Sequence, residues 1–204
     1  VMTLFIIAAL LFPSCRADAP LIQKEDIKFN PGHYVAVNSS FEVSEINYLD
    51  EPAVTGVQKR YSWRTLEPKK GEYDFSSIDE DLQYLAAHDK QLVVFLIDRA
   101  YWIKGAMPDY LSEYELPVLD GFVSMRWDSI VTERLVALGQ AIGETFDTHP
   151  HFEGVAVQES SLDLSEEELK KYGYTPKKYR DALVMILTGL QDAMPHSHVF
   201  WYAN

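Results

Sequence analysis

The stretch that most constrains this chain is Phe152-Glu153-Gly154-Val155-Ala156-Val157-Gln158-Glu159-Ser160-Ser161, a short apolar run that ends on an amide and a carboxylate. Val155, Ala156 and Val157 do not alternate with polar residues as a half-solvated strand would, which is the pattern of a parallel strand covered on both faces. A carboxylic acid leaving such a strand at its C-terminal end sits where barrel enzymes keep their chemistry. Glu159 is therefore a candidate general acid/base, to be weighed against a plain solvated loop glutamate.

The same pattern recurs along the chain. His33 to Asn38, Val54 to Tyr61, Gln91 to Ile97 and His198 to Asn204 are further short apolar runs, each read as a strand. Between them lie helical periods. Phe41, Ile46 and Leu49 place a weakly patterned helix over 41–49. Ser77 with Glu80 forms a capping box ahead of Ile78, Leu82 and Leu85. Asp128 caps a helix striped by Val131, Leu135, Leu138, Ile142 and Phe146, the cleanest 3.6-residue period in the chain. Ser165 with Glu168 starts a short acidic helix, and Thr175 followed by Pro176 starts another that Pro195 stops. The stretch from Asp98 to Trp127 reads as one long loop, of the kind that usually carries function.

Strand and helix thus alternate five strands deep, the pattern of either an open doubly wound sheet or a (β/α)8 barrel. Asn38-Ser39-Ser40-Phe41, which follows the first strand, contains no glycine, so the phosphate loop of a nucleotide-binding doubly wound sheet is missing. The barrel is the better reading, but 204 residues hold about five of its eight strands. The expectation is an α/β chain, a TIM barrel truncated after about five strands, with strands six to eight beyond Asn204 and the present sheet open and curved.

Net charge is -13, with the acids spread over helices rather than gathered in a tail, which argues against a nucleic-acid partner and suits a neutral ligand. Met2 to Phe12 has the length of a signal-peptide apolar core and is too short to span a bilayer. Residues 1–17 are read as the signal peptide, cleaved after Ala17, and 18–204 as the partial barrel domain; the protein is then secreted or periplasmic. Cleavage before Cys15 is the alternative and would make it lipid-anchored. Cys15 is the single cysteine, so neither a disulfide framework nor a cysteine-based metal site is expected, and no cofactor motif is present.

Several of these residues also carry a family resemblance. Trp63-Arg64-Thr65-Leu66-Glu67-Pro68, followed by Gly71, Tyr73-Asp74-Phe75 and Asp79, resembles the run after the second strand of clan A glycoside hydrolases, especially the family forty-two β-galactosidases. Pro108-Asp109-Tyr110-Leu111 and Arg126-Trp127-Asp128 resemble later segments of the same barrels, so that Gly32 to Asn204 covers about half of one. The resemblance implies a retaining hydrolase of β-linked glycosides acting on an oligo- or polysaccharide. Its fourth strand ends in Asn-Glu, the Glu being the acid/base; here the pair is Gln158-Glu159, with an amide one methylene longer. The second carboxylate, the nucleophile, belongs to the end of strand seven and lies outside this sequence.

The resemblance also orders the supporting candidates. Arg60, at the end of the second strand, stands where such barrels place an arginine that bonds the nucleophile; a surface arginine is the plain alternative. Trp63, Tyr101, Trp102 and Trp127 fall in loops on the expected catalytic face, where aromatic rings are platforms for the C–H surface of a pyranose. Asp98 either bonds a sugar hydroxyl or pairs with Arg99. His149 and His151, like His196 and His198, precede strands and so belong to the opposite end of the barrel, and no metal is assigned to them. Glu67, beside Pro68, reads as loop scaffolding. Gln158 in place of Asn motivates a second hypothesis, a non-catalytic carbohydrate-binding barrel that kept the fold.

Overall fold

The computed structural model describes residues 27–101 and 105–203. The expected signal peptide with Cys15, and Trp102, lie outside the described residues. In chain order the elements are β1 (His33–Val37), β2 (Val54–Ser62), α1 (Trp63–Leu66), α2 (Ser76–Ala87), β3 (Gln91–Ile97), β4 (Ala100–Tyr101), β5 (Glu115–Val118), β6 (Gly121–Ser124), α3 (Ser129–Phe146), β7 (Phe152–Val157), α4 (Glu166–Lys171), α5 (Pro176–Ala193) and β8 (His198–Trp201).

The five apolar runs form one sheet in the order β1-β2-β3-β7-β8, and every pair in it is parallel. Each new strand adds to the same edge. A doubly wound sheet reverses direction partway across, whereas a barrel winds one way throughout. With right-handed crossovers, one-way winding puts all the helices on one face, and the core shows this. Alternate strand residues such as Val57, Leu92, Val94, Leu96, Val155 and Val157 pack in a single cluster with Leu82 of α2, Leu138 of α3 and Ile186 of α5. The opposite, concave face carries Val93, Phe95 and Ala156, with Tyr34 and Ile97 packed against them.

Local sequence accounts for most helix starts. Asp128 accepts from Ile130 N at 2.9 Å, and Thr175 accepts from Lys178 N at 3.1 Å. Ser165 and Glu168 form a complete capping box. The expected box at Ser77 and Glu80 is not the cap: α2 begins at Ser76 with Phe75 in the cap position, two residues earlier than a Ser77 cap would start it, and Asp74 accepts from both Ser76 N (3.0 Å) and Ser76 Oγ (2.6 Å). The helix expected over 41–49 is also corrected, since the segment holds only a 3₁₀ turn at Val43–Glu45 between other turns. Its buried residues are Val43, Ile46 and Leu49, a three-residue period that successive tight turns satisfy as well as a helix does. The long loop contains an antiparallel sheet in the order β4-β6-β5, closed by a two-residue turn at Leu119-Asp120 between Val118 and Gly121.

Candidate active site

The C-terminal strand ends gather one buried polar network. Gln158 follows β7 directly and is 5% exposed; its Oε1 accepts from Asp98 N at 2.9 Å and Arg99 N at 2.6 Å. The side chain that ends β7 thereby ties down the chain leaving β3. Arg126, between β6 and α3, makes the complementary link. Its Nε and Nη2 donate to Asp98 Oδ2 (2.6 Å) and Oδ1 (2.5 Å), and its Nη1 donates to the carbonyls of Gln158 (3.2 Å) and Glu159 (2.9 Å). Ser124 Oγ adds a 2.5 Å bond to Asp98 Oδ2.

Burial alone would push the Asp98 carboxyl upward. The Arg126 guanidinium, with the Ser124 hydroxyl, outweighs it and holds the group below the usual carboxylate range. Arg126 answers in kind: burial works against its charge, but Asp98 raises its pKa above the ordinary value. This is a fork-to-fork pair with both partners desolvated, the geometry in which an arginine fixes direction as well as charge.

Glu159 projects from this braced backbone. Its side chain is 32% exposed, and Arg99 Nη1 lies 3.4 Å from its Oε1. Arg99 is itself almost entirely buried; it also donates to Ser161 O at 3.0 Å and pairs with Asp163. The Arg99 contact holds the Asp163 carboxyl below its ordinary range. Tyr179 of α5 reaches back to Ser160 O at 2.9 Å, and burial raises its phenol pKa. Glu159 is thus a carboxyl group at a strand tip, partly reached by solvent, that a ligand above the sheet could meet.

The other sequence candidates are placed unevenly. Asp98 pairs with Arg126, not with Arg99, and at 2% exposure it is an internal anchor rather than a group open to a sugar hydroxyl. Trp63 is fully buried in the main core, its Nε1 donating to Glu67 Oε2 at 2.8 Å; α1 turns it beneath the strand ends, so it offers no platform. Trp127 is 6% exposed, packs edge-on against Tyr174 and Tyr179, and donates to Tyr172 O at 2.9 Å. It too is core. Arg60 is exposed near the tip of β2, with its guanidinium 5.6 Å from the Phe95 ring centroid on the concave face and Nη1 donating to Asn38 Oδ1 at 3.2 Å. Tyr101 lies in β4, opposite Gly121.

Glu67 is a scaffold as read: fully buried, it accepts from Trp63, from Gly71 N at 2.8 Å and from Arg134 of α3. The histidine pairs lie at the N-terminal strand ends, where His151 Nδ1 is 3.1 Å from Lys90 O and His198 Nε2 is 2.7 Å from Lys28 O. Sequence reasoning missed Arg126 and Tyr179 as parts of the site. The available signal was that a buried Asp98 and Gln158 require polar partners, and Arg126 interrupts an otherwise apolar segment beside α3.

No protein-family model matches the sequence, and no curated protein matches it. Solved structures do match the fold. A GH5_18 protein from Streptomyces cattleya in complex with GlcNAc has a TM-score of 0.60 at 10% identity, over 84% of this chain and 44% of its own. Endo-glycoceramidase II from Rhodococcus sp., as a lactosyl-enzyme intermediate, has a TM-score of 0.59 at 13% identity, over 86% of this chain and 51% of its own. A β-galactosidase from the Antarctic haloarchaeon Halorubrum lacusprofundi has a TM-score of 0.56 at 14% identity, over 82% of this chain and 36% of its own. The chain therefore spans between about a third and a half of the length of these matches. At such identities the likeness shows the fold, five consecutive strands of a TIM barrel with their helices.

Proposed function

We propose that this chain is the acid/base-bearing part of a retaining β-glycoside hydrolase. The observation that carries the reading is Glu159 itself, a partly exposed carboxyl at the tip of the fourth parallel strand of a barrel-type sheet, next to a buried guanidinium. In this reading Glu159 gives its proton to the glycosidic oxygen as the C–O bond breaks, while a second carboxylate, supplied by sequence outside this chain, attacks the anomeric carbon. Water then displaces the glycosyl group and returns its proton to Glu159. The two carboxyl groups must stand about 5–5.5 Å apart for this sequence of steps. The fold is shared with glycoside hydrolases, one of them caught as a lactosyl-enzyme intermediate. In this reading the apolar run Met2 to Phe12 is a leader, which supports a reaction outside the cytoplasm, and the likeness to glycoside hydrolases supports an oligo- or polysaccharide as substrate.

Arg60 on the concave face is positioned to meet an anionic partner, and Gln158, whose Oε1 is committed to two backbone amides, has only its Nε2 for a sugar hydroxyl. That commitment of the Gln158 amide supports the second reading, a carbohydrate-binding barrel without hydrolysis, whereas the burial of Trp63 and Trp127 removes two of the platforms such a barrel would use. One experiment decides between them. The full-length parent protein and its Glu159→Gln variant are assayed on a panel of aryl β-glycosides. Loss of a general acid predicts a fall of about 10²- to 10⁴-fold. Equal hydrolysis by both proteins removes Glu159 from the chemistry; glycoside binding without turnover in the parent supports the binding barrel.

A further inference from the structure

Arg126 is distant in sequence from Glu159 yet grips the backbone on which that glutamate stands. The guanidinium uses one edge for the Asp98 carboxylate and its remaining nitrogen for the carbonyls of Gln158 and Glu159. In return the Gln158 amide oxygen holds the N–H groups of Asp98 and Arg99, and Arg99 approaches the Glu159 carboxyl. The ends of β3 and β7 are thus cross-braced twice, once by each side chain. Arg126 is itself held from behind, because Thr132 Oγ1 at the start of α3 donates to its carbonyl at 2.7 Å. A lysine in its place would keep the charge but present one ammonium instead of a planar fork, and could not serve the carboxylate and the two carbonyls in this geometry.

We propose that Arg126 is a positioning residue for proton transfer by Glu159: it fixes the direction in which the Glu159 carboxyl leaves the end of β7, and it acts through the backbone without touching substrate. The inference rests on the reading of Glu159 as general acid. It predicts a specific defect in forming the glycosyl-enzyme, since in that step a misdirected acid matters only when the leaving group needs a proton. Glycosides with strongly activated leaving groups, such as 2,4-dinitrophenyl, depart without one; phenyl and alkyl glycosides do not.

The test uses the full-length parent protein with Arg126→Lys, Asp98→Asn and, as the reference, Glu159→Gln, each first shown to be folded by its unfolding transition. Displacement of a catalytic group by about 1 Å costs roughly 10²-fold. Arg126→Lys is therefore expected to lower kcat/KM on phenyl glycosides by about 10- to 100-fold and to keep kcat/KM on the dinitrophenyl glycoside, because kcat/KM reports formation of the glycosyl-enzyme and leaves out the later water step, in which Glu159 acts as base for every substrate. Glu159→Gln should show the same leaving-group selectivity, more strongly. A folded Arg126→Lys protein whose kcat/KM values on the two substrate classes are unchanged, or fall by the same factor, overturns the positioning role while the Glu159 assignment stands. If Glu159→Gln shows no leaving-group selectivity, the acid assignment fails and the positioning role with it. Should Arg126→Lys not yield folded protein, Asp98→Asn removes the charge that aims the same guanidinium, and equal loss on both substrate classes in that folded variant overturns the proposal.

Discussion

Asp98 is the residue on which the buried network turns, and its ionisation gives the network a pH signature. Its folded pKa lies below the ordinary 3.8 because Arg126 and Ser124 outweigh burial. A carboxyl depressed on folding contributes stability above its unfolded pKa and loses it as pH falls through the folded value. Asp98→Asn leaves the Arg126 charge buried without its counter-ion, which should cost about 3–5 kcal/mol at neutral pH. Urea unfolding of both proteins from pH 7 down to pH 2 should show the gap at full size above about pH 4 and shrinking below it; a gap that grows on acidification reverses the assignment. The strand-tip carboxylate was legible in the sequence because an apolar run ending in Gln158-Glu159 leaves little choice of end. The partners were not. The sequence offers Asp98 a sugar hydroxyl or the adjacent Arg99, whereas the structure brings in Arg126 from 28 residues away, a choice set by tertiary packing. Trp63 and Trp127 misled for a related reason: loop position does not say which way a large ring turns, and burying an indole with its N–H satisfied outweighs exposing it.

The packing of α3 against α5 shows how little side-chain volume separates two elements. A Cβ built on Gly139 would come 2.0 Å from Leu190 Cδ2, and one built on Gly143 would come 2.2 Å from the backbone oxygen of Ala193. The two obstacles differ in kind. Leu190 Cδ2 is the far end of a side chain that can change rotamer, but the Ala193 carbonyl moves only if α5 moves. Alanine also gains about 1 kcal/mol of helix propensity over glycine at either site. Gly139→Ala should therefore lie within about 1 kcal/mol of wild type, while Gly143→Ala should lose about 2 kcal/mol or more from overpacking, read as separate shifts in the urea midpoint. Equal midpoints would mean that the two helices are not in close contact. At this scale the sequence was most readable where one signal sufficed: the α3 stripe, the Thr175-Pro176 start and the Ser165–Glu168 box all recur in the structure. It failed where two structures satisfy one pattern, as with the three-residue period of Val43, Ile46 and Leu49. The hairpin of β5 and β6 lies inside the stretch that reads as one long loop, although Asp120-Gly121 is a turn signal; Pro117, paired opposite Phe122, weakens the strand pattern before it.

At the scale of the molecule, the sheet is open among the described residues, where β1 pairs only with β2 and β8 only with β7. Both outer strands thus present an unpaired parallel edge. Beside the second edge, Phe200, Trp201 and Tyr202 are each about 40% exposed or more. The concave face beneath holds a cavity of about 360 Å³ lined by Phe29, Tyr34, Val93 and Phe200, together with Glu153 and His198. In a closed barrel such a surface is interior and the edges are joined. Two forces then compete in a protein made of residues 27–203 alone. Exposed edges and apolar surface favour association, while a net charge of -12 (the -13 of the whole chain less the -1 of residues 1–26) opposes it over a Debye length of about 30 Å at 0.01 M salt and about 8 Å at 0.15 M. Repulsion should win only when it is unscreened. Light scattering coupled to size exclusion should find mainly monomer at low salt and dimers or larger species at physiological salt. The same protein should leave aryl β-glycosides untouched at both, since the proposed second carboxylate is not among its residues. A salt-independent monomer would show that the open edges are protected by the chain itself, and turnover by it would place both catalytic carboxyl groups within these residues and overturn the two-part reading of the site.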